Sequence, residues 1–151
     1  MGQNSQLQVQ NGTGTISEPL LLNGPGIAND GALLNVAGTN TWTGNIILGS
    51  NVNIGVANSG DVLTVNGVID DQNKKLSVTK VGLGDLAYVG NSANTYSGLT
   101  TVNSGRLLLN KTGVAALTGN VQAGDNVPGL QAATVVEVQS NQILDTATVT
   151  V

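Results

Sequence analysis

The chain of 151 residues has no cysteine, no histidine and no phenylalanine; methionine and tryptophan occur once each, tyrosine twice. Without histidine or cysteine, acid–base and nucleophilic catalysis falls back on carboxylates, Lys, Tyr, Ser and Thr. The absence of thiols is compatible with export from a bacterial cell but does not fix a compartment. Charge is equally scarce: five basic and nine acidic residues, 9% of the chain together, leave a net charge of −4. Five scattered cations cannot neutralise a phosphate backbone, which argues against a nucleic-acid partner. Long apolar runs are missing too. The longest are three or four residues, as in Leu20–Leu22 and Leu107–Leu109, far below the ~18 residues of a spanning helix, so no membrane insertion by this segment is expected. No basic start or apolar core of a signal peptide opens the chain in MGQNSQLQVQ; if the parent is secreted, this is an internal segment of a larger protein.

What remains is aliphatic and neutral polar. Hydrophobic residues make up 40% of the chain and are nearly all Val, Leu, Ile and Ala, while Gly contributes 21 residues. Gly or Asn interrupts most windows of ten, which disfavours helix. Strand patterns recur: DVLTVNG (61–67), KLSVTKVG (75–82), TTVNSG (100–105), ATVVEVQ (133–139) and TATVTV (146–151) alternate or cluster β-branched residues. Turn clusters separate them at 23–25, 29–31, 58–60, 103–105 and 124–126.

The chain also echoes itself. NTWTG begins at Asn40 and NTYSG at Asn94, and ALLNVAGTNTWTG (32–44) resembles DLAYVGNSANTYSG (85–98). Read as coils, the chain divides near Gly44, then 45–73, 74–98, 99–119, 120–145 and a partial coil from Thr146. Coils of about 20–30 residues predict an all-β parallel β-helix, a β-solenoid of five to six coils, with the interval from Asn40 to Asn94 as two coils. A narrow tube favours compact aliphatic residues inside, glycine and asparagine at corners, and stacked asparagine ladders. On this reading Trp42 and Tyr96 occupy equivalent corner positions in a packing role, kept apart by the coil between them.

Lys80–Gly113, KVGLGDLAYVGNSANTYSGLTTVNSGRLLLNKTG, resembles the autotransporter-associated β-strand repeat, also called the passenger-associated transport repeat. The first part of that pattern is matched by Lys80, Gly82, Gly84, Leu86, Tyr88 and Gly90. The second is matched by Asn94, Thr95, Tyr96, Gly98, Thr100, Val102, Gly105, Leu107 and Leu109. Residues 32–56, with Asn40, Trp42 and Gly44, read as a degenerate earlier copy, and residues 1–151 as one solenoid segment. Asp85, Tyr88 and the spacer at 91–93 depart from the pattern. The resemblance implies a right-handed parallel β-helix in a secreted or surface-exposed bacterial passenger, supporting export and forming a stalk. An adhesin or binding module, or a fibre unit associating end to end, is the alternative.

No catalytic, cofactor or metal site is expected. The acids are Glu18, Asp30, Asp61, Asp70, Asp71, Asp85, Asp125, Glu137 and Asp145, spread along the chain. The adjacent Asp70 and Asp71 are either an acid pair or part of a calcium site, or a solvated turn balanced by Lys74 and Lys75; surface base rates favour the turn. Arg106, the single arginine, sits at a turn-to-strand junction and reads as a surface residue.

Overall fold

The computed structural model describes residues 5–12, 15–124 and 132–151. The expected turn at 124–126 falls largely outside these residues, and Asp125 wholly so.

The chain winds as a stack of turns. The first, partial turn carries β1 (Leu7–Gln10) and β2 (Thr15–Ile16); the next carries β3 (Leu20–Gly24), β4 (Leu33–Ala37) and β5 (Thr39–Trp42). The third has β6 (Ile46–Val56), which rounds a corner, and β7 (Val62–Val65); the fourth has β8 (Ile69–Asp70), β9 (Val78–Val81) and β10 (Asp85–Gly90). Then come β11 (Thr100–Val102) with β12 (Gly105–Lys111), β13 (Val121–Ala123) with β14 (Ala133–Glu137), and a final β15 (Val149–Thr150). All registered pairs are parallel, each strand bonding to its equivalents in the turns above and below. The result is an all-β parallel β-solenoid of about five turns.

Three faces surround the core. The first stacks β1, β4, the second half of β6, β9, β11, β13 and β15; the second stacks β2, β5, β7, β10, β12 and β14. The third contains β3, the first half of β6 and β8. Beyond β8 it continues through Asn94–Tyr96, whose Thr95 N–H donates to Ile69 O at 2.9 Å, and through a bridge between Leu117 and Ile143. Turn length varies along the stack: the passage from Leu33 to its partner Ile54 is shorter than the passage from Val121 to its partner Val149.

Strand alternation sets what points inward. On the first face Val52, Val78 and Val121 stack with Thr100 among them; on the second Leu63, Leu86 and Leu107 form a column beside Trp42, Val65, Tyr88 and Leu109. These side chains are buried, and each large aliphatic contributes roughly 1.5–3 kcal/mol relative to exposure. No single turn could bury its own inward row, so stacking supplies the core.

The structure corrects the phase of the echo. Asn40 and Trp42 lie in β5 on the second face, where Trp42 pairs with Val65; Asn94–Tyr96 lie on the third face against Ile69. Likewise Leu33–Ala37 is a first-face strand and Asp85–Gly90 a second-face strand. The interval from Asn40 to Asn94 is therefore two turns plus one further side, and Trp42 shares its column with Tyr88, not with Tyr96. The physical reason is turn length. Leu33 pairs with Ile54 and Ile54 with Lys80, so two turns from Leu33 end at Lys80, a shorter passage than the one from Asn40 to Asn94. The coil limits set at Gly44 and Gly98 consequently mark different corners. Gly44 stacks with Gly67 between the second and third faces, Gly98 with Gly119 between the third and first.

That last corner explains why glycine is required there. A Cβ on Gly98 would overlap the Leu76 carbonyl of the turn below, and one on Gly119 would overlap the Gly98 carbonyl. Gly98→Ala should lower stability by about 2 kcal/mol or more in urea unfolding, because backbone must shift. Gly113→Ala, with open space around the same atom but φ of 72°, should cost only about 1 kcal/mol.

Candidate functional site

Polar side chains with no exit to solvent are the chemically distinctive part of the molecule. Asn35, Asn40, Asp71, Lys80, Asp85, Asn94, Thr100, Lys111 and Gln142 are all buried. A buried polar group is costly unless it is hydrogen-bonded, so its partners reveal its use.

The asparagines bind backbone. Asn94 Oδ1 accepts from Ile69 N–H at 3.0 Å in the turn below, while its Nδ2 donates to Ala116 O at 3.0 Å in the turn above. Its side chain thus joins the third face's ladder beside the main-chain bond from Thr95 N–H to Ile69 O. Asn40 Oδ1 accepts from Gly12 N–H at 2.6 Å, and its Nδ2 donates to Asn35 Oδ1 and Ala37 O. Asn35 in turn donates to Gly38 O and to Val62 O of the following turn. At exposed corners Asn45, Asn51 and Asn120 each accept a backbone N–H of the next turn, from Val68, Ser77 and Thr148. Amide-to-backbone bridges thus do most of what the expected amide-on-amide ladders would do, with a turn-to-turn amide pair at Gln139 Nε2 and Asn110 Oδ1, 2.8 Å apart. Turn lengths differ, so equivalent corner positions in successive turns seldom both carry asparagine.

Two lysines also lie within the interior. Lys80 holds an inward position between Ile54 and Val102. Its Nζ donates to Val81 O at 3.0 Å, Gly82 O at 2.7 Å and Ser104 O at 3.1 Å. Lys111 repeats the device, with Nζ donating to Val89 O at 2.9 Å. Their aliphatic stems extend the core while the ammonium reaches corner carbonyls. Each lysine is followed closely by a left-handed glycine, Gly82 at φ 82° and Gly113 at φ 72°. Gly84 and Gly105 sit at the same corner as Gly82, between the first and second faces. Burial pushes the Lys80 ammonium down to about 8, against a smaller upward pull from Asp85; burial lowers Lys111 as well.

The aromatic rings are packed, with Trp42, Tyr88 and Tyr96 all buried. Tyr96 Oη and Thr100 Oγ1 share a hydrogen bond of 2.8 Å. Among the described residues, Trp42 Nε1 and Tyr88 Oη find no partner. Burial drives the Tyr96 phenol up to about 12; it raises Tyr88 well above its ordinary value, with neighbouring Tyr96 adding to the effect.

Among the described residues, several acids are held by specific partners. Asp85 and Arg106 are cross-strand neighbours on β10 and β12 and form a two-point ion pair, Nε to Oδ1 at 2.8 Å and Nη2 to Oδ2. The pairing with Asp85 raises the Arg106 guanidinium above its ordinary value. Arg106 is exposed, as expected, and partnered. The Asp70–Asp71 turn differs from expectation. Asp71 is fully buried and its carboxylate accepts from the N–H groups of Asn73, Leu76 and Ser97 and from Ser97 Oγ. Burial works to raise its pKa, but the hydrogen bonds from Ser97, Leu76 and Asn73 outweigh it and the net direction is down. Four donors converging on these oxygens make an anion cradle. Lys74 does not balance the turn; its Nζ donates to Gln72 Oε1. Thr95 Oγ1 donates to Asp70 Oδ1 at 2.8 Å, tying the two turns together.

Two outcomes follow. Asn94→Ala orphans the Ile69 N–H and the Ala116 carbonyl together, and should cost about 2–4 kcal/mol in denaturant unfolding. Stability should also depend on alkaline pH in two phases. Lys80 titrates near 8 when folded and 10.5 when unfolded, so the fold binds fewer protons in that window and stability rises from about pH 8. Lys111 is shifted in the same direction and adds to the rise. Tyr96, raised from 10.0 to about 12, holds a proton that the unfolded chain releases, so stability falls above about pH 10. Denaturant midpoints measured across the alkaline range should pass through a maximum near pH 10, where the lysine rise gives way to the tyrosine fall. Lys80→Met should flatten the rising limb.

Compared with protein-family models, curated proteins and solved structures, the chain finds no match, so its functional reading rests on its own residues and geometry.

Proposed function

We propose that this chain is a structural β-solenoid segment of a secreted or surface-exposed bacterial passenger of the autotransporter type, a stalk that supports export by folding turn upon turn. The observation that carries the reading is the use to which buried polar chemistry is put. Asn35, Asn40, Asn94 and Lys80 each bond the backbone of an adjacent turn. Chemistry spent this way stiffens a rod. The resemblance of Lys80–Gly113 to the passenger repeat points the same way. Its glycines 82, 84 and 105 meet at one corner, and its Asn94 and Lys80 are two of the turn-to-turn ties.

Folding of this kind suits export. Each turn supplies a template of free N–H and C=O groups for the next, so a chain emerging from a membrane can add turns in order without a distant partner. A rise of about 4.8 Å per turn makes the segment a spacer of roughly 25 Å.

The test is display. Residues 1–151 would be placed between a reporter domain and the membrane barrel of a bacterial autotransporter, beside a Gly/Ser spacer of equal length. The reading expects more reporter at the cell surface than the flexible spacer gives, and a protease-resistant segment beneath it. Periplasmic retention, or display no better than with the flexible spacer, would sink it.

A further inference from the structure

We infer that the outer side of the third face carries a carbohydrate-binding groove, walled by the corner that follows β8. In the two turns above, this corner is brief, passing through Ser97–Gly98 and Thr118–Gly119, while in the second turn the passage from β3 to β4 is also long. After β8 the chain takes Asp71–Leu76 to make the same turn, and three non-glycine residues there, Gln72, Asn73 and Lys75, adopt φ of 53°, 61° and 56°. Such conformations persist when surrounding contacts impose them. Here the buried Asp71 carboxylate imposes them through the Asn73 and Leu76 N–H groups. The short corners above show that winding can proceed without this loop, and the buried carboxylate that ties it to Ser97 of the next turn also holds its shape.

The loop borders a groove of about 490 Å³ lined by Asn45, Ile47, Val68, Asp70, Asn73 and Thr95. That volume lies within the roughly 300–1,000 Å³ of small-molecule sites. Its polar groups are held from behind and left open in front. Asp70 Oδ1 accepts from Thr95 Oγ1 at 2.8 Å and from Gln72 N–H at 3.1 Å, leaving Oδ2 for a ligand. Asn45 Oδ1 accepts from Val68 N–H at 3.0 Å, which orients its Nδ2. The Asn73 side-chain amide bonds no other described residue, while its backbone is fixed by Asp71. One carboxylate oxygen and two amides around the aliphatic Ile47 and Val68 match a sugar ring, whose hydroxyls both donate and accept and whose C–H face is apolar.

Other ligand classes fit less well. A calcium ion takes six to eight oxygens, several of them carboxylate, whereas this groove has one carboxylate and the described residues contain no group of three potential metal ligands. An extended peptide would need an unpaired strand edge, and here Ile47 and Asp70 are paired within the sheet. The inference is independent of the export reading.

The test is amide-resolved NMR of the whole chain titrated separately with glucose, galactose, mannose and N-acetylglucosamine, each to about 50 mM, a range suited to weak, small ligands. At least one sugar should shift the amides of residues 45, 47, 68, 70, 73 and 95 as a cluster. Asn73→Gly keeps the left-handed backbone but deletes the amide, and Asp70→Asn removes the carboxylate; each should weaken binding about tenfold. The second variant serves if the first perturbs the spectrum elsewhere. No clustered shift with any of the four sugars would overturn the proposal. So would the same shifts produced by calcium chloride alone, or unchanged affinity in both variants.

Discussion

In a parallel solenoid the backbone N–H and C=O groups of every turn point along the axis, so each turn must find its partners in the next. The remainder of the structure answers that demand. Strands meet it where three faces run straight, through parallel registers. Corners meet it only in part through backbone bonds, such as Gly84 N–H to Val56 O, because turns differ in length, and there side chains add the rest. Asn45, Asn51 and Asn120 accept stray N–H groups, and Lys80 collects three carbonyls that a left-handed glycine turn leaves facing inward. An unsatisfied buried backbone group costs as much as several well-packed methyl groups contribute. This accounts for a polar interior in a chain with so little charge.

The same demand explains a composition that first reads as a list of absences. A tube only a few side chains wide accepts Val, Leu and Ile in columns but few rings, and its three aromatic side chains are each fully packed. Close stacking at the Gly98–Gly119 corner leaves no room for a Cβ against the carbonyl below. Formal charge is tolerated at the surface where the exposed Arg106 covers the largely buried Asp85, and inside where backbone dipoles surround it, as at Asp71 and Lys80.

The fold class was legible from the pattern alone: period-two aliphatic runs, turn residues at short intervals and self-similarity imply stacked coils. The phase was not, because NTWTG and NTYSG look alike for a reason other than equivalent position. Both place a buried asparagine just before a buried ring, on different faces. The interior lysines do leave a mark in the pattern. In Val78–Thr79–Lys80 and Leu107–Leu108–Leu109–Asn110–Lys111 the lysine falls on the inward parity, and a glycine follows shortly after. Asp71 offers no such sign; its burial depends on Ser97, a whole turn away.

The bridge made by Asn94 has a consequence for how such a chain can vary. Because a side chain supplements the main-chain contact on the third face, the perimeter of one turn can differ from the perimeters of its neighbours. Residues can be gained or lost at a corner without dephasing the ladder on the other two faces, as the long passage after β8 illustrates beside the short corners above it. A stack held in this way is editable rung by rung. Its axis stays constant while its outline diversifies, and new surface can arise on an old rod without a new fold.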